Sequence, residues 1–288
     1  MADPVGARGV QADLAVFSAL GCHGLSVMTG YLVADTARVE DCQEIEADWV
    51  VDQARVLLED MRVAAIKVGA ISNIEQATAI AEIVSDYPDV PLILDPFLSS
   101  LPDSGMADED MLIAIRQILV PQAHLLLLSQ VELARMAESW RDGADEATEQ
   151  APATLGAAGS ALAADVAELT AMGCALVLVT CTEAAGSGPR ATRSNTLFDA
   201  GGEVARHDWR QLAGPFTGAG GTMSAAACAY LARGMAPAEA VAAAQTYTAG
   251  ALAHAQRFGM GKLVPDPFFQ VRPTTPPGAS DPIDKARP

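Results

Sequence analysis

Along the chain, short aliphatic runs alternate with stretches in which apolar residues recur every three or four positions. The runs "LSVMTG" (25–30), "VAAIKVG" (63–69), "VPLILD" (90–95), "HLLLL" (124–128) and "ALVLVT" (175–180) read as strands. Helical periodicity fills the intervals near 10–20, 47–61, 73–86, 107–119, 130–140 and 158–172. This alternation predicts an α/β fold: a mostly parallel sheet with helices on both faces, joined by right-handed crossovers.

The pattern changes after residue 180. "SNTLFDAGGEVARHDWRQL" (194–212) reads as two strands about a three-residue "AGG" loop, a late β-hairpin in a parallel design. Two helices follow, one running from a glycine-rich opening to Gly234 and one from about Pro237 to His254. Residues 1–270 are expected to form a single domain, and the Pro-rich, charged stretch 271–288 a disordered tail. The acidic, small-residue segment 141–160 is expected to be a solvent-exposed insertion.

Composition sharpens this picture. Half the residues are apolar and only 5% aromatic, so the core is expected to consist of close-packed, alanine-rich helices against the sheet. Eighteen basic residues against 36 acidic give a net charge of -18, which repels phosphate backbones and anionic lipid. Nucleic acid and membranes are therefore poor partners. A phosphorylated small molecule would have to be held by backbone N–H groups, a metal ion or a few placed cations. The five cysteines are dispersed and contain no C-x-x-C pair, which suits reduced thiols. The start "MADPVGARGVQADLAVF" lacks the basic and apolar regions of a signal peptide, and a cytoplasmic protein is expected. His23, His124, His207 and His254 sit singly, without metal-ligand spacing, and are expected to take no zinc or catalytic role.

The candidate chemistry lies in "TGAGGT" (217–222), where small residues lead into a helix. Free N–H groups and the positive end of the helix dipole favour an anion there. The same pattern also serves close helix–sheet packing, and both readings stand on this stretch alone. Asp95 closes a strand at the edge where ligands gather in parallel sheets, although an Asp–Pro pair also ends strands for turn reasons. Lys67 lies within a strand pattern, where pairing with a carboxylate is open to it and no chemistry is assigned to it, while Cys228 is expected to be a packing residue. There is no G-x-G-x-x-G between a first strand and helix, which argues against a dinucleotide-dependent oxidoreductase.

The glycine loop with "SAAACAYLARG" after it resembles the hydroxymethylpyrimidine/phosphomethylpyrimidine kinases of thiamin synthesis, in the ribokinase-like superfamily. So do "DPVGARGVQADLAVFSALGCHGLSVMTGYLVADT" (3–36), "AIKVGAISN" (65–73), "YPDVPLILDPF" (87–97), "LVLVTCT" (176–182) and "FGMGKLVPDPFF" (258–269). The resemblance implies a ribokinase-like fold, ATP and Mg2+ as cofactors, a small-molecule substrate and a homodimer. It implies that Gly218, Ala219, Gly220 and Gly221 cradle the transferring phosphoryl group, with Gly221 standing where the family carries a cysteine, or an aspartate in wider relatives. On the nucleotide side it implies Ser129, in place of an Asn, with Glu132 acting near magnesium, and Thr180. On the substrate side it implies Asp13, Ala34 in place of an amide side chain, Ala70 in place of Met, and Phe97 in place of Val. "GARG" replaces "GGAG" and introduces Arg8, read either as a phosphate contact or, in preference, as a solvated loop residue. In the family an apolar strand precedes the "DP" element, whereas Asp3 is almost the first residue of this sequence.

Two functions are then in view. The first is an ATP-dependent kinase. Loss of a base costs an alcohol nucleophile about 10²- to 10⁴-fold. A phosphate monoester, with a second pKa of about 6, is already anionic at neutral pH. Activity is therefore expected to be greater on the phosphomethyl substrate. The second is a homologue without catalysis that binds a ligand or a partner.

Overall fold

A computed structural model describes residues 1–96, 98, 109–141, 155–183, 192–210 and 212–271. In chain order the elements begin with α1 (Gly9–Ala19), the short strands β1 (Gly30–Ala34) and β2 (Val39–Glu44), and α2 (Ala47–Asp60). Next come β3 (Ile66–Val68), α3 (Ile74–Ser85), β4 (Leu92–Leu94), α4 (Glu109–Ala114), β5 (Leu125–Ser129), α5 (Gln130–Arg141) and α6 (Leu155–Ala171). The chain continues through β6 (Val177–Glu183), β7 (Thr192–Asp199), β8 (Gly202–Arg210), α7 (Ala219–Ala232) and α8 (Pro237–Ala253).

The main sheet has the order β3-β4-β5-β6-β7-β8. The pairings from β3 through β6 are parallel, and β6–β7 and β7–β8 are antiparallel. Successive side chains on a strand face opposite ways, and here both faces are covered. Leu92, Leu94, Leu126, Leu128, Val177 and Val179 pack into one core, with Val50 of α2 and Ile80 of α3. Ile93, Leu125, Leu127, Leu178 and Leu197 pack into the other, with Val16 of α1, Ala225–Ala227 of α7 and Tyr247 of α8. Burial on both sides is why these strands read as unbroken apolar runs. The alanines of α7 let that helix lie close to the sheet, which sets the position of its N-terminus.

Four readings of the sequence are corrected. The run 25–30 is not a strand: only Gly30 belongs to one, and β1 pairs with β2 as a separate two-stranded antiparallel sheet. Side-chain amides take the place of a ladder there. Gln53 Oε1 accepts from the Met28 N–H, and Gln76, fully buried, donates to the carbonyl oxygens of Thr29 and Ile45. The 63–69 run contributes only Ile66–Val68, because β3 has a partner on one side alone. Of the predicted helix 107–119, residues 107–108 lie outside the described residues, and Glu109–Ala114 are α-helical before the helix widens to a π turn, with the Val120 N–H on Ile115 O; Pro121, which has no N–H to give, follows in a 3₁₀ turn. The hairpin loop is the two residues Ala200 and Gly201, since Gly202 (φ 116°) already pairs with Asp199. Of the expected insertion, residues 142–154 lie outside the described residues and 155–160 belong to α6; of the expected tail, 272–288 lie outside them.

Candidate active site

α7 starts without a side-chain cap, from Gly218 in the left-handed region at φ 81°. Glycine is required at that position, because a Cβ would overlap the Ala7 carbonyl oxygen. The first N–H to find a partner inside the helix is that of Thr222, which donates to Gly218 O at 2.9 Å. The N–H groups of Ala219, Gly220 and Gly221 precede it and are orphan donors of the first turn. At Gly220 and Gly221 an added Cβ would meet nothing within 4 Å, so this turn faces open space.

That space is a cavity of about 690 Å³ lined by Asp13, Lys67, Ala70, Asp95, Gly218, Gly220 and Gly221, among others. Lys67 Nζ, from β3, donates to Asp13 Oδ2 of α1 at 2.9 Å and lies 4.0 Å from Asp95 Oδ2. Lys67 thus makes the carboxylate pairing that the sequence left open. Asp13 Oδ1 is buried and has no hydrogen-bond partner, so the carboxylate holds one acceptor in reserve. Ser224, one turn into α7, donates to both Asp95 Oδ2 and Gly221 O and ties the helix start to the end of β4.

Burial raises the Asp95 carboxyl to about 6, against the opposing pull of Lys67 and the Ser224 hydroxyl. Burial acts to lower the Lys67 ammonium, but Asp13 and Asp95 outweigh it and the net shift is upward. The raised Asp95 group means that the folded protein binds more protons than the unfolded chain between about 4 and about 6. Stability therefore falls as pH rises through that window, by about 2–3 kcal/mol. The Asp95→Asn variant is expected to lack this component. Thermal unfolding from pH 4 to pH 7 checks it: parallel Tm profiles for parent and variant would refute the assignment.

Arg8 is not the solvated loop residue preferred from sequence. It is 8% exposed; its Nε donates to the fully buried Asp3 at 2.9 Å and its Nη2 to Asp35 O. An isolated buried guanidinium is too costly to persist, and Asp3 compensates it. Ala34 and Ala70 come together about Met1 and Leu32, with Ala70 also on the cavity wall. Phe97 lies outside the described residues.

The nucleotide-side residues form a second group. Ser129 closes β5 and Glu132 opens α5. The Ser129 N–H donates to Glu132 Oε2 at 2.7 Å, and the Glu132 N–H donates to Ser129 Oγ at 3.2 Å. This reciprocal arrangement is a capping box, which "SQVE" spells in the sequence. Thr180 of β6 is in register with Ser129, and Glu132 is close enough to Asp95 to push its carboxyl upward. Cys228 is buried in the α7 core with its thiol pushed to about 12 by burial, in keeping with packing. Sequence reasoning missed Ser224. The only signal for Ser224 is a hydroxyl three residues beyond Gly221.

Comparison with known proteins places this geometry in a lineage. The phosphomethylpyrimidine kinase family matches residues 3–266. The chain is 30% identical over 260 residues to the hydroxymethylpyrimidine/phosphomethylpyrimidine kinase of Salmonella typhimurium, covering 90% of this chain and 91% of that one. Against its namesake in Escherichia coli it is 29% identical over 259 residues, with the same coverage. Among solved structures, the ADP complex of Bacillus subtilis pyridoxal kinase superposes with a TM-score of 0.77 at 18% identity, over 94% of this chain and 96% of that one. The phosphomethylpyrimidine kinase of Clostridium difficile gives 0.65 at 21% identity, over 86% and 95%. These superpositions speak to the ribokinase-like fold, and the sequence match, running through α1, β3, the end of β4 and the start of α7, shows that the chain belongs to the phosphomethylpyrimidine kinase family.

Proposed function

We propose that the protein is an ATP-dependent kinase that phosphorylates a small hydroxymethyl- or phosphomethyl-substituted heterocycle, with greater activity on the phosphomethyl form. The observation that carries this reading is the Asp13 carboxylate, held by Lys67 with Oδ1 unpartnered, in the same cavity as the free N–H groups that open α7. Phosphoryl transfer is catalysed chiefly by positioning and charge stabilisation, which such an arrangement supplies. The structural neighbour from Staphylococcus aureus described with AMP-PCP and pyridoxal supports a nucleotide and a small ring compound as ligands. The kinase names of the matched relatives favour catalysis over a binding-only homologue.

In this reading the N–H groups of Ala219, Gly220 and Gly221 receive the oxygens of the transferring group, Asp13 Oδ1 accepts a hydrogen bond from the substrate, and Ala34 and Ala70 shape its pocket. Ser129, Glu132 and Thr180 border the nucleotide. Among the described residues no three acidic, Cys or His side chains cluster to cage a metal. Magnesium, which neutralises phosphate charge when bound, would be carried by the nucleotide and approached by Glu132. Residence in the cytoplasm, a homodimer and a single folded unit through residue 270 complete the reading.

Steady-state turnover at neutral pH tests it. The phosphomethyl substrate is expected to exceed the hydroxymethyl one in kcat/KM by about 10²-fold or more, the worth of the absent base. Equal turnover would overturn the preference. A folded protein active on neither would overturn the kinase reading.

A further inference from the structure

Arg8 is carried to the cradle by the fold. It is the N-cap residue of α1, in extended backbone (φ −138°, ψ 170°), and that helix starts with neither a side-chain cap nor an acidic residue in its first turn. Its neighbour Ala7 lies against α7, since the Ala7 carbonyl oxygen is the atom that forbids a Cβ at Gly218. Arg8 therefore sits close to the orphan N–H groups of α7, and it lines the same cavity as Gly218, Gly220 and Gly221.

The guanidinium is only partly committed. Nε donates to Asp3 Oδ2 at 2.9 Å and Nη2 to the Asp35 carbonyl oxygen at 3.1 Å. Asp3 Oδ1 is turned to the Val5 N–H, and the Asp35 carboxylate to the N–H groups of Ala37 and Arg38, so neither residue takes more of it. Nη1 is left without a hydrogen-bond partner among the described residues, on a side chain that is 9% exposed. A charged donor held away from water and given no acceptor is costly, and an anion entering the cavity would satisfy it. The surroundings offer an anion little else. The chain carries a net charge of -18, and Asp13 and Asp95 line the cavity. Lys67 is shared between those two carboxylates, and Arg62 precedes β3 and so lies at the far end.

We propose that Arg8 is a specificity-determining residue of the substrate pocket, its Nη1 receiving an anionic substituent, a phosphate monoester or a carboxylate, that the substrate ring already carries. The assignment rests on the kinase reading above and names what the substrate of that kinase must present. A guanidinium is weakly hydrated and directional, which suits it to an anion in a partly buried pocket. A neutral hydroxymethyl group accepts at most a weaker bond there. Arg8 thus gives the two substrates a second point of discrimination. The missing base at Gly221 acts on turnover of the bound alcohol, whereas Arg8 acts on binding of the anion.

Titration calorimetry without nucleotide tests it, on the parent, on Arg8→Lys and on the double variant Arg8→Gln with Asp3→Asn. The double variant keeps the buried pair hydrogen-bonded and strands no charge; if it fails to fold, Arg8→Lys, which retains the charge opposite Asp3 and loses the fork, carries the test. The ligands are the phosphomethyl, hydroxymethyl and carboxymethyl pyrimidines and pyridoxine 5′-phosphate. The Kd of the phosphomethyl compound is expected to rise by about 10- to 100-fold in the double variant and by about 10-fold in Arg8→Lys. That of the hydroxymethyl compound should stay within about threefold. The carboxymethyl compound separates the two anions: Arg8-dependent binding as tight as the phosphomethyl compound's assigns recognition of charge, and weaker Arg8-dependent binding assigns recognition of phosphate. Equal weakening of the phosphomethyl and hydroxymethyl compounds would reduce Arg8 to a residue that shapes the pocket, and an unchanged ratio would leave the anion to α7 alone; either overturns the proposal. So would a loss confined to a non-hydrolysable ATP analogue, which would put the guanidinium on the nucleotide. A parent that ignores all three pyrimidines but holds pyridoxine 5′-phosphate through Arg8 would overturn the pyrimidine reading and uphold the anion site, so the two fail separately.

Discussion

Replacing Gly221 with cysteine is expected to raise turnover of the hydroxymethyl substrate by about 10²- to 10⁴-fold, the range a positioned base supplies. The phosphomethyl substrate should gain little, because its attacking oxygen is already ionised. The site admits the side chain: an added Cβ at residue 221 meets nothing within 4 Å, and no positive φ stands against it. A thiol there would sit in the first turn of α7, where the helix dipole and the orphan N–H groups favour the thiolate. It would thus be set to accept the proton that an alcohol must lose. Gly221→Ala is the control, since it fills the same space without a base. Equal gains for alanine and cysteine, or equal gains on both substrates, would show that the missing base is not what limits the reaction.

The contrast between residues 218 and 221 illustrates what a sequence can and cannot reveal. Both read as members of one glycine cluster. In the structure Gly218 is compelled by its left-handed backbone and by Ala7, whereas Gly221 is under no such constraint. The helices and the strands β4, β5 and β6 were legible because burial on both faces leaves continuous apolar runs between amphipathic ones. β1 and β2 were not, since "VEDCQE" is mostly exposed and carries no apolar alternation. The "LSVMTG" run misled for the opposite reason: it is apolar enough for a strand but lines the cavity, and its end is tied by the amides of Gln53 and Gln76.

Within the site, individual residues were easier to pick out than their partners. Asp13 and Lys67 are 54 positions apart, and only the fold makes them an ion pair. Arg8 looked solvated because its compensating charge, Asp3, sits in a loop whose burial no periodicity announces. Ser129 and Glu132 carried two meanings at once. Their spacing is that of a helix start, and the structure shows the cap, which leaves a nucleotide role to be tested by ligand binding.

Lys67→Met is expected to cost about 3–5 kcal/mol of stability, the usual penalty for removing one partner of a buried charge pair. The lysine side chain is 6% exposed and serves two carboxylates, Asp13 at 2.9 Å and Asp95 at 4.0 Å. Methionine fills a similar volume, so the loss is electrostatic rather than a cavity. The cost should depend on pH with a definite sign. Lys67 draws the Asp95 carboxyl downward against burial, and without it that group rises above its present value of about 6. A carboxyl raised in the folded state favours the protonated, acid side, so the variant's deficit is smallest near pH 4 and grows as pH rises past about 6. Adding Asp13→Asn should recover much of the loss, because it removes the charge that the methionine leaves unpaired. Urea denaturation of the parent, the single variant and the double variant at pH 5 and pH 8 measures all three effects. A single variant within about 1 kcal/mol of the parent at pH 8 would place Lys67 in water, as a weakly coupled surface pair. A deficit insensitive to both pH and the second substitution would make it a packing residue whose charge does not hold the site together.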